Sequence, residues 1–268
     1  MPAQYSLDGV EIEGVPPELA LYPFGVFTTF IAVDGRVLGW QEHLARLARD
    51  ARILWGHELD EARVVGAVRA HLVRVGEAAS VRVSLYPETF SLASPVDARG
   101  CRILVSSQLA QFPFVAQSNF AVCTVEYERE LAAVKSTALL TQIHLRRSAQ
   151  LAGYDDVLFR HGDEVREGAT WAILAWRDGE VATPARSVLK SITAENLGRI
   201  AEQFGWRFRR RTVSLAELVQ AELVLAANVN CPARAIQSMD GVPLAADEDL
   251  LTAIANAYTS LPRELVSR

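Results

Sequence analysis

The chain has few cysteines, no long apolar run and almost no lysine, and these shortages exclude several classes of protein. Its three cysteines lie far apart, so the sequence contains neither a disulfide framework nor a CxxC metal-binding pair, and we expect reduced thiols. Its apolar runs, such as 223–227, fall far short of the roughly 20 residues that a membrane-spanning helix needs. The first residues, MPAQYSLDGVEIEG, are acidic where a signal peptide has a basic start. The sequence therefore predicts a cytoplasmic protein without membrane association.

The chain also has fewer basic than acidic residues. Acidic residues number 32 against 27 lysines and arginines, and the net charge of −5 opposes binding to a nucleic-acid backbone. The one dense basic run, RFRRR at 207–211, follows a helix-like segment and is predicted to form a solvated strand or a sheet edge. We therefore expect no nucleic-acid partner.

Several standard catalytic signatures do not occur in the sequence. GxxxxGK[ST], GxGxxG, HExxH and GxSxG are all missing, which removes the simplest nucleotide-binding, zinc-protease and hydrolase hypotheses. The five histidines show no metal-ligand spacing, so no metal site is expected.

The composition that remains is that of a folded globular chain in which helices and strands mix. Half of the 268 residues are apolar and 22% are charged, which suffices for one large domain or two modest ones. Residues 25–40 surround Asp34-Gly35 with β-branched and aromatic side chains, which predicts a β-hairpin there. The apolar spacing over 41–55 predicts a helix that packs one face inward and turns Arg46 to another face. A further helix is predicted over 60–75, and strands over 80–86 and 101–105.

The pattern weakens and then restarts, which predicts two domains. Residues 106–119 lose periodicity and contain a proline, so we divide the chain into an N-terminal domain over 1–107, an interdomain loop over 108–119 and a C-terminal domain over 120–268. In the second domain, strands are predicted over 120–127, 156–160 and 223–227, a hairpin over 164–177, and helices over 137–152, 193–204 (with Thr193 as its cap), 214–219 and 250–258.

Lys135 is one of only two lysines, and it follows apolar Val134 immediately before a predicted helix. Burial lowers the pKa of a lysine, as covalent catalysis by its amine requires. The alternative is an exposed lysine at a helix start, which the spacing alone favours.

Ordered motifs around Lys135 carry a family resemblance. After the lysine come A-x-x-x-G-x-D-D at 149–156, E-x-x-T at 167–170, T-P at 183–184 and L-x-S-I-T at 189–193. Upstream, GVFTTFIAVDG precedes EHLARL; downstream lies LVLAANVNCPARAIQSMDG. Together these segments resemble the class IV aminotransferases, the fold type IV enzymes that use pyridoxal 5′-phosphate (PLP), over roughly residues 20–245.

The resemblance implies a mixed α/β fold of type IV, like that of D-amino acid aminotransferase, with a smaller N-terminal α/β domain and a larger C-terminal mixed-sheet domain. It also implies a homodimer. In the family pattern, Lys135 binds PLP covalently and moves the proton between the substrate Cα and the cofactor C4′. Glu167 lies against the pyridine nitrogen and keeps it protonated. Arg46 and the backbone N–H groups of Ile192 and Thr193 bind the phosphate.

Five positions depart from the family pattern. They are Ala172 in place of Asn, Leu140 in place of Tyr, Val229 in place of a phosphate-binding Thr or Ser, Ser191 in place of Gly, and Ala194 in place of Arg. Each hydrogen bond lost from a charged group is worth roughly 1.5–3 kcal/mol. PLP is therefore expected to bind weakly unless Ser191, Asn228 or Asn230 compensates.

Three functions are consistent with the matches and departures. The first is a transaminase that moves an amino group between a small amino acid and a 2-oxo acid. The second is a 4-amino-4-deoxychorismate lyase, which eliminates pyruvate to leave 4-aminobenzoate: Thr28-Thr29 resembles the lyases, but the asparagine that they often carry after the lysine is missing from 136–138. The third is a binding scaffold with reduced catalysis, which Ala172 and Val229 favour.

Overall fold

The structure is a computed structural model that describes residues 3–267, apart from the side chains at positions 18 and 20. The chain forms two compact units. The first contains the residues up to Phe112, Val134–Ala138 and the residues from Pro262 onward, and the second contains Pro113–Ala133 and Leu139–Leu261. This division differs from the predicted one: the first break falls inside the predicted loop, and two short later pieces, one of them holding Lys135, belong to the first unit. Such short segments have no periodicity from which their placement could be predicted.

The first unit is built on an antiparallel sheet. Its strands are β1 (Gln4–Leu7), β2 (Val10–Ile12), β3 (Val26–Val33), β4 (Arg36–Val37), β5 (Ala78–Tyr86), β6 (Arg102–Leu109) and, late in the chain, β16 (Glu264–Leu265), and its helices are α1 (Pro17–Leu21), α2 (Trp40–Trp55) and α3 (Glu61–Leu72). The strand order is β16-β4-β3-β5-β6-β1-β2. Each adjacent pair is antiparallel.

The predicted hairpin and the helix after it are confirmed. Asp34 and Gly35 both have positive φ, at 48° and 71°, which is the geometry of a type I′ turn between right-twisted strands. Helix α2 ends at Gly56, whose left-handed conformation closes the last turn. Leu44 and Leu47 of α2 are buried in the core of this unit. The loop geometry and the apolar stripe thus fix α2 beside β3.

Helix α3 is joined to the sheet by a buried histidine. Asp60 caps the helix by accepting hydrogen bonds from the first-turn N–H groups, so the helix begins one residue after the predicted start. Near its other end, His71 lies between the hydroxyls of Ser6 in β1 (2.8 Å) and Ser107 in β6 (2.9 Å). One side chain therefore joins three elements.

The second unit is built on a mixed sheet. Its strands are β7 (Gln117–Glu126), β8 (Asp156–His161), β9 (Glu164–Gly168), β10 (Ala172–Arg177), β11 (Glu180–Pro184), β12 (Arg207–Arg211), β13 (Leu223–Asn228), β14 (Cys231–Met239) and β15 (Val242–Pro243), and its helices are α4 (Leu140–Leu151), α5 (Ile192–Gln203), α6 (Leu215–Val219) and α7 (Glu248–Ser260). The strand order is β12-β11-β10-β13-β14-β7-β8-β9, and β15 pairs with β14. The β7–β8, β7–β14 and β11–β12 pairs are parallel.

The predicted hairpin over 164–177 is wrong. Strand β9 pairs with β8, whereas β10 pairs with β11 and β13. Between them, the Gly168 N–H donates to the Trp171 carbonyl (2.9 Å), and the Trp171 indole N–H donates to Asp156 (2.9 Å). This anchored tryptophan separates the two strands, so the chain passes from one end of the sheet to its middle.

Two predicted helix starts are also wrong. The helix predicted from residue 137 begins at Leu140, because the residues before it pair with the start of β3: Ser136 forms a bridge with Val26, and the Thr137 N–H donates to the Gly25 carbonyl (2.9 Å). The helix predicted from Thr193 begins at Ile192 and is capped by Ser191, whose hydroxyl accepts from the Ala194 N–H (3.2 Å). Thr193 is buried in the first turn.

The basic run forms β12, an edge strand, as predicted. Arg211 pairs with Glu180 (2.8 Å) and Glu217 (2.7 Å), while Arg207 and Arg209 are exposed. Charge along an edge discourages pairing with other chains. In the part of the chain described, no helix has the length and apolar character to span a membrane.

Candidate functional site

Lys135 lies in the first unit, on a short segment that bonds to β3. Its carbonyl accepts a hydrogen bond from the Phe27 N–H (2.9 Å), and Ser136 forms a bridge with Val26. Lys135 is half-buried, and α4 begins five residues later, so the simple interpretation as an exposed helix-start lysine is wrong. The lysine instead extends from a backbone held in strand-like geometry.

The Lys135 ammonium lies over an aromatic ring. Its Nζ is 4.7 Å from the centroid of the Phe27 ring, and the Arg82 guanidinium of β5 is 3.7 Å from the same centroid. An aromatic face attracts cations and provides an apolar surface beside them. Burial lowers the pKa of Arg82, which shows that this guanidinium is partly removed from water. Two basic side chains therefore lie against the Phe27 ring.

Arg46 is buried in the first unit, 7% exposed, although the helical pattern placed it away from the core. Burial lowers its pKa to about 10, an effect that the charge of Asp50 opposes. Amphipathic spacing identifies the apolar stripe but does not reveal that a polar side chain beside it is covered. A buried guanidinium is suited to an anionic group, as the family pattern implies for this position.

His43 lies one turn before Arg46 and is neutral. Its Nδ1 is 2.6 Å from the buried hydroxyl of Thr28 in β3. Burial lowers the pKa of His43 well below 6.5, and the charges of Arg46 and Lys135 lower it further. The Thr28 hydroxyl is therefore engaged by a neutral imidazole.

Glu167 lies in the second unit, at the end of β9, and both of its oxygens are held. Oε1 accepts from Arg129 Nε (2.7 Å), and Oε2 accepts from the Leu189 N–H (3.1 Å). The side chains of Glu167 and Arg129 are each 11% exposed. The predicted cofactor carboxylate is therefore one half of a mostly buried ion pair with Arg129.

A small cavity opens beside Glu167 at the N-terminus of α5. Its lining includes Glu167, Ala172, Thr183, Ser191, Ala194 and Arg210. The Ile192 and Thr193 N–H groups lie in the first turn, where a helix provides no internal acceptor and its dipole favours an anion. Three of the departures from the family pattern, at 172, 191 and 194, thus line the same cavity as Glu167.

The turn after β13 contains the other predicted cofactor residues. Asn228 Oδ1 accepts from the Asn230 and Cys231 N–H groups, both at 3.0 Å, so this oxygen stabilises the turn that contains Val229. Leu140 is 85% exposed at the start of α4. Asn228 is one of the three residues expected to compensate for lost cofactor contacts, but its side-chain oxygen already accepts hydrogen bonds within this turn.

The structure groups the predicted residues by unit. Lys135 and Arg46 lie in the first; the second holds Glu167, Ser191, Ile192, Thr193, Asn228 and Val229. The sequence reasoning missed Asp50, whose carboxylate accepts from the Lys135 backbone N–H (2.9 Å). Its position, one turn after Arg46, was the only signal. It also missed Arg82, which lies on a strand whose alternation was recognised.

Comparisons with known proteins indicate a family. A family model described as amino-transferase class IV matches residues 25–238. The transaminase AMT5 of Alternaria alternata is 46% identical over 59 residues, a segment that spans 21% of this chain and only 16% of that protein.

Solved structures resemble the chain over nearly its whole length. A fold IV transaminase, CpuTA1, from Curtobacterium pusillum covers 97% of this chain and is itself covered completely, with a TM-score of 0.82 and 22% identity. The branched-chain aminotransferase of Thermoproteus uzoniensis, solved with norvaline, has a TM-score of 0.81 and 23% identity, with 95% of this chain and 93% of that one covered. A PLP-bound hypothetical aminotransferase from Mycobacterium tuberculosis has a TM-score of 0.81 and 18% identity, covering 96% and 99%. The expected fold is thereby confirmed.

Proposed function

The chain belongs to the class IV aminotransferase family, and from that premise we propose that it is a PLP-dependent transaminase. It moves an amino group between a small amino acid and a 2-oxo acid. The observation that carries the proposal is the setting of Lys135, a half-buried lysine whose backbone is fixed at both its N–H and its carbonyl.

The residues present fit PLP chemically. The cofactor offers an aldehyde, a pyridine nitrogen and a phosphate; the chain offers the amine of Lys135, the carboxylate of Glu167 and the buried guanidinium of Arg46. When bound, the cofactor supplies an electron sink for negative charge at the substrate Cα.

With PLP bound, Lys135 would hold the cofactor through its amine, and Nζ would carry the proton to and from the substrate Cα. Hydrogen bonds to Phe27 and Asp50 fix the point from which its side chain extends. The Phe27 ring lies 4.7 Å from Nζ and excludes water from one side of the amine. A fixed backbone with a mobile amine suits a residue that both binds and transfers protons.

Glu167 would hold negative charge against the pyridine nitrogen of bound PLP and so keep that nitrogen protonated. Arg129 and the Leu189 N–H orient its two oxygens. Because both contacts are inside the second unit, the carboxylate direction is set by the protein before the cofactor binds.

The family pattern assigns the phosphate to Arg46 and to the first turn of α5. The buried guanidinium of Arg46 would pair with such an anion, and the N–H groups of Ile192 and Thr193 would be donors for it. The Ser191 hydroxyl already accepts from the Ala194 N–H, and it retains its own hydrogen to donate. Ser191 is therefore the better candidate to compensate for Val229, since the Asn228 oxygen stabilises a turn.

The transaminase is preferred to the pyruvate-eliminating lyase. The lyase hypothesis depended on Thr28-Thr29, yet the Thr28 side chain is fully buried and its hydroxyl contacts His43. This contact gives the Thr28 hydroxyl a structural role within the first unit, which supports the transaminase. The products separate the two activities: a lyase releases pyruvate from aminodeoxychorismate without an added amino acceptor, whereas a transaminase needs an acceptor.

Covalent labelling tests the proposal. We expect PLP followed by borohydride to label the peptide that contains Lys135, and Lys135→Ala to abolish the label, the visible-edge absorption band and turnover. The matched control is Lys190→Ala, because Lys190 is the chain's other lysine and its side chain is 62% exposed. That control keeps both label and turnover.

Two results would count against the transaminase. Unchanged turnover in Lys135→Ala excludes both family activities. A parent protein that gains no adduct even with excess PLP is instead a binding scaffold, in which the changes at Ala172 and Val229 have removed cofactor affinity.

The assembly and location remain part of this proposal. We expect a homodimer, which light scattering after size-exclusion chromatography tests, and a cytoplasmic protein, which cell fractionation tests. A monomer at micromolar concentration would contradict the first expectation.

A further inference from the structure

Helix α2 carries a buried carboxylate to which the family pattern assigns no role. Asp50 lies one turn after Arg46, and its side chain is fully buried, at 0% exposure. A buried carboxylate is costly unless its oxygens are hydrogen-bonded or paired. Its partners therefore indicate why it is there.

The two oxygens of Asp50 have different partners. Oδ1 accepts from Arg49, at 2.8 Å from Nε and 2.6 Å from Nη2, and the Arg49 side chain is 41% exposed. Oδ2 accepts from the backbone N–H of Lys135 at 2.9 Å. One oxygen thus serves a surface ion pair, and the other serves the main chain of the lysine.

We propose that Asp50 is a positioning residue for Lys135: its carboxylate holds the lysine backbone from α2 while β3 holds it from the opposite side, so that the amine extends from a fixed place. The contact from β3 is the Phe27 N–H to the Lys135 carbonyl (2.9 Å). The proposal rests on the proposed function, in which Lys135 is the cofactor lysine.

A charged acceptor suits this task. A hydrogen bond from an amide to a carboxylate is shorter and roughly twice as strong as one between neutral groups. The same carboxylate opposes the lowering of the Arg46 pKa by burial. Asp50 therefore supports two residues on one side of the site, and an experiment must separate its effect on Lys135 from its effect on Arg46.

Amide hydrogen exchange in the protein without PLP measures the contact directly. We expect Asp50→Ala to accelerate exchange of the Lys135 amide about 10- to 100-fold, the range for losing a hydrogen bond to a charged group. Asp50→Asn retains an acceptor for Lys135 and releases Arg49 to solvent, so it accelerates exchange only about 3- to 10-fold. If the alanine variant does not fold, the asparagine variant alone decides: no acceleration overturns the proposal.

Two controls accompany these variants. Arg49→Gln removes the ion pair and leaves the Lys135 contact, so its Lys135 exchange matches that of the parent protein. The Thr137 amide donates to the Gly25 carbonyl in the same segment and keeps its exchange rate in all variants. Equal acceleration at Thr137 would mean that the segment loosens as a whole, which overturns the specific contact.

Labelling by pyridoxal, which lacks a phosphate, separates the two supported residues. With borohydride trapping, we expect the Lys135 labelling rate of Asp50→Ala to fall at least about tenfold with both pyridoxal and PLP. A loss with PLP alone would show that Asp50 acts through Arg46 and overturns the positioning role. If the parent protein shows no label on Lys135 while the exchange responds as expected, the proposed function fails and the contact between Asp50 and Lys135 stands.

Discussion

At the scale of single residues, Gly168 has no room for a side chain. It follows Glu167 directly, and a Cβ placed on it would lie within the indole of Trp171. The indole cannot move aside, because its N–H donates to Asp156 and its ring packs edge-on against Phe120. We predict that Gly168→Ala costs about 1–3 kcal/mol of unfolding free energy, as forced overpacking does. Urea unfolding measures the change.

Gly66 provides the control for this substitution. It is exposed in the middle of α3, and a Cβ there meets no atom within 4 Å. Gly66→Ala should therefore stabilise the protein by about 0.5–1 kcal/mol through helix propensity alone. If both alanine variants shift the urea midpoint in the same direction, close packing at Gly168 is not the cause.

The sequence motifs identified candidate site residues, but they did not predict which of those side chains are buried. The positions of Lys135, Glu167 and Arg46 were singled out by ordered motifs, but their roles remain predictions. Arg46 is covered by the folded chain around it, and Asp50 reaches a residue that lies 85 positions away along the chain. Local spacing carries no information about such contacts.

At the scale of elements, His71 makes the attachment of α3 sensitive to pH. Burial lowers its pKa from 6.5 to about 4, so the folded protein keeps the imidazole neutral where the unfolded chain takes up a proton. The stability from this group is complete above pH 6.5 and is lost as the pH falls toward 4. We predict that thermal melts between these values show a slope that His71→Asn reduces.

The control is His144→Asn, since His144 is an exposed histidine on α4. This variant shows how much the pH dependence of thermal stability changes when an exposed histidine is replaced. A His71→Asn protein that retains the full slope of the parent would show that the bridge between Ser6 and Ser107 does not couple α3 to protonation.

Helices and turns with a clear local sequence pattern were predictable. Short strands, and the partners with which strands pair, were not. The Asp34-Gly35 turn and the apolar stripe of α2 fix their own structure. The strands β1, β2, β15 and β16 have two to four residues, too few to show alternation. The hairpin over 164–177 failed because two adjacent strands with suitable residues pair with other strands, and the anchored Trp171 between them gives no periodic signal.

At the scale of the whole molecule, the last residues complete the first sheet. Strand β16 pairs with β4, Val266 is buried, and the fully buried Trp40 donates its indole N–H to the Ser267 carbonyl (2.6 Å). We predict that ending the chain at Leu261 destabilises the first unit by about 3 kcal/mol, from one unsatisfied buried donor and one lost apolar side chain. Hydrogen exchange in β3, followed during urea unfolding, measures the change.

A chain that ends at Leu265 is the graded control. It retains the residues of β16 and lacks only those from Val266 onward, so its loss of stability should be smaller than that of the shorter chain. Equal stability of the parent and the chain ending at Leu261 would contradict the structural role of these residues.

The fold as a whole was predictable because ordered motifs span most of the chain, and the assignment of segments to units was not. No composition or periodicity marks Val134–Ala138 as part of the first unit. Its membership results from backbone hydrogen bonds to β3 and from the carboxylate of Asp50.

The division of the first unit among three stretches of chain also sets an order of events during synthesis. Ribosomes add about 5–20 residues per second, so the roughly 150 residues between Phe112 and Pro262 take about 8–30 s to make. During that interval β4 is an unpaired edge of the nascent sheet, and the Ser267 carbonyl that accepts from the Trp40 indole N–H has not yet been made. Strand β4 has only two residues, which leaves little edge for a neighbouring nascent chain to join before β16 arrives.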